Sequence, residues 1–234
     1  MINVCIPTLN RYDLLTNVID TAERGSLVPD HYYIIDNGLK FDPNVFNKKT
    51  LKKISVLTPK DNLGVARSWN TFMHDVEERI LICNDDIGFF EDTIEKLNNA
   101  YTDETIVFPG GFPSANAFSC FMIPKKLYNT VGPFDVEFFP AYYEDNSYHW
   151  RMTQLGYKLT GVDDTRITHF ESATLKAYDH DQTEMHHLLF RHNTELYRLM
   201  WGGLPGNEKY TEKFNGSEAK RDQAYAHLKM RFNY

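Results

Sequence analysis

Two adjacent carboxylate pairs, Asp85-Asp86 and Glu144-Asp145, are the side chains whose type and spacing point most directly to chemistry. The first follows Asn84 at the end of the apolar run 79–83. Neighbouring carboxylates repel each other unless a cation or hydrogen bonds offset the charge. A divalent, oxygen-preferring ion such as Mn2+ or Mg2+ bridging a diphosphate does so. The bland alternative, a capped turn before a helix, is the commoner role of an isolated Asp-Asp pair. Glu144-Asp145 follows the aromatic stretch Phe138-Phe139-Pro140-Ala141-Tyr142-Tyr143. Helix starts favour carboxylates, but a carboxylate in an aromatic-walled pocket is also a general base for an attacking hydroxyl. His169 closes a strand-like stretch at 166–168; such a lone His is usually structural, and it can also complete a metal site with Asp86. His180, His186, His187 and His192 lack the His-Glu-x-x-His spacing of a metal helix and read as helix-surface residues.

The elements that must hold these groups alternate between strand and helix. Residues 2–6, 31–35, 54–57 and 79–83 read as strands. A helix opens at Asn10 as N-cap, with Leu14, Leu15, Val18, Ile19 and Ala22 on one face; others cover 65–76 and begin near Glu91. This order predicts an α/β fold with a mostly parallel sheet. Ligands of such sheets collect at the carboxyl ends of the strands. Four polar clusters fall there: Thr8 to Arg11, Asp36-Asn37, Asn62, and Asn84 to Asp86. Further on, strands are expected at 105–109, 118–124 and 158–162. A helix over 144–156 turns Tyr148, Met152 and Leu155 inward. Another, over 181–201, has Met185, Leu188, Leu189, Leu196, Leu199 and Met200 in register. Residues from Pro205 onward are polar and Gly-broken, which marks them as a mobile segment or lid. The chain divides into a catalytic domain, 1–204, and a C-terminal tail, 205–234.

Composition narrows the function classes. The net charge of −7 argues against a surface that grips nucleic acid throughout. Within 209–234, however, Lys209, Lys213, Lys220, Arg221, Lys229 and Arg231 outnumber Glu212, Glu218 and Asp222, leaving −10 on the remainder. Tyr210, Phe214, Tyr225, Phe232 and Tyr234 lie among those basic groups, a mixture that can track a polyanion with rings stacked on bases. A solvated tail packing its rings on the catalytic domain is the plainer alternative. Cys5, Cys83 and Cys120 each sit in an apolar run, so buried free thiols and a cytoplasmic setting are expected. No apolar run is long enough to span a membrane, and Asn215-Gly216-Ser217 carries no weight as a sequon without a secretory signal.

Taken in order, these motifs resemble the family-2 inverting glycosyltransferases with the GT-A fold, over roughly residues 2–170. Pro7-Thr8-Leu9-Asn10-Arg11 is similar to the family's opening strand and turn, and Asp36-Asn37-Gly38 to its base-holding second-strand motif. Asn62-x-Gly64-x-Ala66-Arg67-x-x-Asn70 resembles the next donor-binding stretch, and Asn84-Asp85-Asp86 the Asp-x-Asp motif with Asn in first place. The resemblance implies a metal role for Asp86 and His169, and ribose or phosphate contacts for Asn84 and Asp85. Gly132-Pro133-Phe134-Asp135, Glu144-Asp145, Arg151 and Gly156-Tyr157 are similar to the late stretch that supplies the catalytic base. Asp145 is the expected base, with Glu144 beside it. Ser147 stands where the family usually has a further acid. The segment from Trp201 to Tyr210 also resembles a C-terminal stretch of some members, rhamnosyl-transfer relatives included.

The implied reaction is one inverting displacement from a nucleotide-sugar donor, a UDP-sugar first and a dTDP-sugar second, with Mn2+ or Mg2+ as cofactor. The acceptor is a hydroxyl on a glycan or, through the basic tail, on a hydroxymethylated DNA base. A nucleotidyltransferase would want a Gly-rich phosphate loop after the first strand, where Pro7-Thr8-Leu9-Asn10 stands. A dehydrogenase would want Gly-x-Gly-x-x-Gly. A non-catalytic nucleotide- or sugar-binding module has no need of both acidic pairs and His169.

Overall fold

The computed structural model describes residues 1–77, 79–111, 114–170 and 177–232. Its centre is a seven-stranded sheet in the order β3-β2-β1-β4-β7-β6-β8. These strands are β1 (Ile2–Thr8), β2 (His31–Asp36), β3 (Ile54–Leu57), β4 (Arg79–Cys83), β6 (Thr105–Pro109), β7 (Cys120–Ile123) and β8 (Lys158–Val162). Strands β1 to β4 run parallel, and β7, antiparallel to both β4 and β6, alone runs against the others. A second sheet pairs β5 (Ile87–Phe89) with β9 (Ile167–His169), antiparallel, with Ile87 opposite His169. The expected α/β fold with a mostly parallel sheet is the one observed.

The pleat of β1 sorts its side chains between two cores. Val4 and Ile6 pack with Leu15, Val18 and Ile19 of α1 (Tyr12–Glu23) and with Ile94 and Leu97 of α4 (Thr93–Ala100). Cys5 points the other way, toward Trp69, Phe72 and Met73 of α3 (Gly64–Asp75) and Tyr148 and Met152 of α6 (Glu144–Gln154). Helix α1 begins at Tyr12 with Arg11 at the cap position and no side-chain cap bond, so Asn10 stands one residue outside it. Short helices α2 (Lys48–Leu51) and α5 (Lys125–Val131) complete the first part of the chain. Leu155 follows the end of α6 and is exposed rather than turned inward. The three cysteines are buried free thiols.

The last two helices, α7 (His180–Trp201) and α8 (Glu218–Phe232), build a third core with Phe138. Leu196, Tyr197, Met200 and Trp201 meet Phe214, Ala224 and Leu228 there. Residues beyond Pro205, the segment expected to be mobile or a lid, thus pack on the preceding part of the chain through Phe214, Ala224 and Leu228. Tyr234 lies outside the described residues. Among the described residues, no helix is long and apolar enough to cross a membrane.

Candidate active site

A cleft of about 510 Å3 opens over the carboxyl ends of β1, β2 and β4. Pro7, Thr8, Asn37, Asn62, Asn84, Asp85, Asp86, Glu144, Asp145 and His169 all line it. Parallel strands carry their loops to one rim, so residues far apart in sequence meet there. The antiparallel β7 adds to the same rim from its starting end: Cys83 pairs with Cys120, and Asn84 N–H donates to Ser119 O at 2.9 Å.

Asp85 and Asp86 are buried at that rim. The Thr8 hydroxyl donates to Asp85 Oδ2 at 2.7 Å. Burial pushes the Asp85 carboxyl up to about 7 against the pull of that hydrogen bond, and the Asp86 charge adds to the rise. His169 reaches the cleft because β9 pairs with β5; its Nε2 stands 3.1 Å from Asp86 Oδ1. That oxygen is buried without a hydrogen bond, as is Glu144 Oε2, and so is the indole Nε1 of Trp69. Buried polar atoms are rarely left so, and all three residues line the cleft. An oxygen and an imidazole nitrogen this close fit a divalent ion. No larger group of His, Cys, Asp or Glu that could hold one is found among the described residues. Mg2+ sites commonly take one or two carboxylates and leave the other positions to waters and substrate phosphates.

Glu144 and Asp145 open α6, entered through Tyr142 and Tyr143, both at left-handed φ (77° and 76°). The side chain of Asn193, buried on α7, holds this loop by donating to Phe139 O (3.2 Å) and Ala141 O (2.9 Å). On the other side Val65 N–H donates to Pro140 O at 2.8 Å. Gly64 permits that approach: its φ is +69°, and a Cβ there would lie 2.7 Å from Pro140 O. Burial raises Glu144 well above the usual carboxylate range, with the Asp145 charge adding to the shift. Asp145 is also raised by burial, but backbone N–H groups oppose the rise, among them Asn146 N–H at 2.7 Å from Oδ1.

Four residues expected to meet the donor stand outside the cleft lining. Asp36 accepts from the Tyr12 hydroxyl and from Phe41 N–H (2.9 Å), so its carboxylate shapes the loop after β2. The Arg11 guanidinium pairs with Asp13 at 2.7 Å. Asn10 precedes α1, and Arg67 is exposed on α3. Conversely, Trp69, Asn116, Phe118, Ser119, Tyr142, Tyr178 and His186 line the cleft. His186, read from sequence as a helix-surface residue, faces the site because the first half of α7 projects past the core, leaving Met185 exposed. Tyr142 belongs to the aromatic stretch noted before Glu144, but no motif spacing marks the others; the start of β7 and the α7 face are set by long-range packing.

No known protein-family profile matches the chain. A stretch of 55 residues is 42% identical to a galactofuranosyl glycosyltransferase of Leishmania donovani, a match over 24% of this chain and 13% of that relative. The fold superposes on GalNAc-T7 solved with UDP, GalNAc and Mn2+ (TM-score 0.61, 9% identity), over 100% of this chain and 57% of that one. It also superposes on S. aureus TarS (TM-score 0.57, 14% identity; 97% of this chain, 42% of that one). Residues 1–349 of TarS in complex with UDP-GlcNAc give a TM-score of 0.55 at 14% identity, over 97% of this chain and 71% of that one. At such identities the likeness is one of fold, and the chain has the GT-A fold of glycosyltransferases.

Proposed function

We propose that the protein is a metal-dependent inverting glycosyltransferase that moves a sugar from a UDP-sugar to an acceptor hydroxyl. One observation carries this reading: a single cleft holds Asp86 beside His169 together with Glu144 and Asp145 of α6, and three of its buried polar atoms lack hydrogen bonds. The relatives agree with it, since the superposed proteins were solved with UDP or UDP-GlcNAc, and one of them with Mn2+.

Thr8, Asn37, Asn62 and Asn84 would take the nucleotide, with Pro7 against it and Asp85 meeting the ribose or a phosphate. Asp86 and His169 would hold Mn2+ or Mg2+, which when bound offsets charge on the departing diphosphate. Asp145 accepts the proton of the acceptor hydroxyl as that oxygen attacks the anomeric carbon from the face opposite the diphosphate. One displacement needs no enzyme nucleophile. Glu144, raised well above the usual carboxylate range by its burial, stands beside Asp145 as a second acid rather than as the base. Residues 1–204 form the catalytic unit and 205–234 brace it.

A glycan is the better-supported acceptor class. The tail's Phe214 is buried, and the Tyr225 hydroxyl is spent on Glu137 at 2.6 Å. Lys213 pairs with Asp135, and Arg231 with Glu195 at 3.5 Å. Phe214 and the Tyr225 hydroxyl are thus engaged by the fold itself rather than offered to the bases of modified DNA. The buried thiols suit a reducing cytoplasm. The test is release of nucleoside diphosphate from a panel of nucleotide-sugars, with and without Mn2+. Cation-dependent release from a UDP-sugar is expected; no release from any donor would overturn the reading.

A further inference from the structure

The cleft has a second wall that the donor reading leaves unused. Tyr142 is 37% exposed and stands edge-to-face with His186 (ring centroids 5.3 Å, interplanar angle 75°) and with Phe190 (5.2 Å, 83°). Tyr178 contacts the same imidazole at 6.0 Å. Tyr142, Tyr178 and His186 all line the cleft, along with Asp145.

The placing of Tyr142 is costly and supported from several sides. A side chain on Cβ disfavours the left-handed region, and here two tyrosines in a row adopt it. The turn splits the pair. Tyr143 goes inward, its ring against Tyr197 and its hydroxyl accepting from Thr194 Oγ1 at 3.0 Å. Tyr142 goes to the cleft. Asn193 fixes the loop just before it, while His186 and Phe190, one turn apart on α7, back its ring. The start of α7 is pinned in turn by a capping box: Gln182 N–H donates to Asp179 Oδ1 at 2.8 Å and Asp179 N–H to Gln182 Oε1 at 3.0 Å. Burial lowers the pKa of the His186 imidazole, with His187 adding to the fall, which leaves it neutral with one donor and one acceptor nitrogen.

Resting on the glycosyltransferase reading, we propose that Tyr142, Tyr178 and His186 form the acceptor subsite and that its ligand is a saccharide ring. A sugar has an apolar face of C–H groups and an edge of hydroxyls. The negative face of an aromatic ring attracts the C–H hydrogens. Two phenol hydroxyls and a neutral imidazole serve the edge. A ring held on this wall presents a hydroxyl to Asp145. An acyl chain would leave those polar groups unmatched.

Saturation-transfer NMR tests the subsite without needing turnover. The probes are UDP and a set of methyl glycosides and disaccharides of galactose, glucose, mannose and N-acetylglucosamine. Wild-type protein should give transfer to UDP and to at least one saccharide. The Tyr142→Ala/Tyr178→Ala variant should lose the saccharide signal at least fivefold and keep the UDP signal, which also reports that its cleft is folded. Tyr142→Phe, which keeps the ring, should retain most of the saccharide signal. No saccharide signal with wild type, or an equal one with the double variant, would overturn the subsite. Loss of both signals in the double variant would overturn it too, making the wall structural. Absence of UDP transfer to wild type would instead strike the donor reading beneath it.

Discussion

Trp201, the last residue of α7, donates its indole N–H to Ser147 Oγ at 3.0 Å, and Ser147 in turn donates to buried Asp135. Ser147 lies two residues beyond Asp145 on α6, so this chain of bonds ties the candidate base to the C-terminal core. Lys213 and Arg151 (3.6 Å) supply the positive charge that Asp135 requires. A carboxylate in place of Ser147 would stand against Asp135, which gives the departure from the family pattern at this position a physical reason. Ser147→Ala should cost about 1–3 kcal/mol by stranding the indole donor. Ser147→Asp should cost more, through like-charge burial. Urea unfolding of both variants against wild type measures this.

On the proposed mechanism the two acids of α6 differ in function. Asp145→Asn should leave UDP affinity unchanged and lower turnover by about a hundredfold or more. Glu144→Gln, an isostere of the protonated acid, should retain turnover within a fewfold. Nucleotide titrations and single-turnover assays on both variants check this, and the reverse pattern would move the base to Glu144.

Glu144 also gives a pH signature. Its folded pKa is raised by burial and by Asp145, so the folded chain keeps a proton that the unfolded chain releases. The associated stability is complete below the unfolded value of about 4.3 and is lost as pH rises toward the folded one. The urea midpoint of wild type should therefore fall more between pH 5 and 8 than that of Glu144→Gln. Parallel profiles would show that Glu144 is ionised in the fold.

The ion and the nucleotide should bind cooperatively. With Asp86 and His169 as the proposed protein ligands, Mn2+ alone should bind weakly, and UDP should tighten it. By linkage, Mn2+ must tighten UDP by the same factor. Calorimetric titration in both orders measures the factor, and Asp86→Asn should reduce it toward one. Excess EDTA should abolish donor turnover, and full activity in EDTA would exclude an obligatory ion.

Much of this arrangement was legible in the sequence. The strand-end clusters at Thr8, Asn37, Asn62 and Asn84 sit on the cleft rim because alternating strands and helices leave a parallel sheet few other choices. The helix expected at 181–201 is observed at His180–Trp201. What periodicity missed is long-range. Nothing in Cys120–Ile123 says that it runs antiparallel between β4 and β6 and brings Phe118 and Ser119 to the site. Ile87–Phe89 is too short to show alternation. The polar tail hid a core because Phe214, Ala224 and Leu228 are too widely spaced to form an apolar run. Asp36 illustrates the converse: its motif was visible, but not that Tyr12 would occupy its carboxylate.

The pairing of β9 with β5 also bears on how the molecule assembles. Asp85-Asp86 is synthesised early, whereas His169 arrives only after α4, β6, β7, α5, α6 and β8. Closing so long a loop is entropically costly and slows folding. A partly made chain therefore presents its acidic pair without the imidazole. Occupancy of the ion site by Mn2+ would serve as a gauge of late folding, registering only molecules whose distant halves have already met.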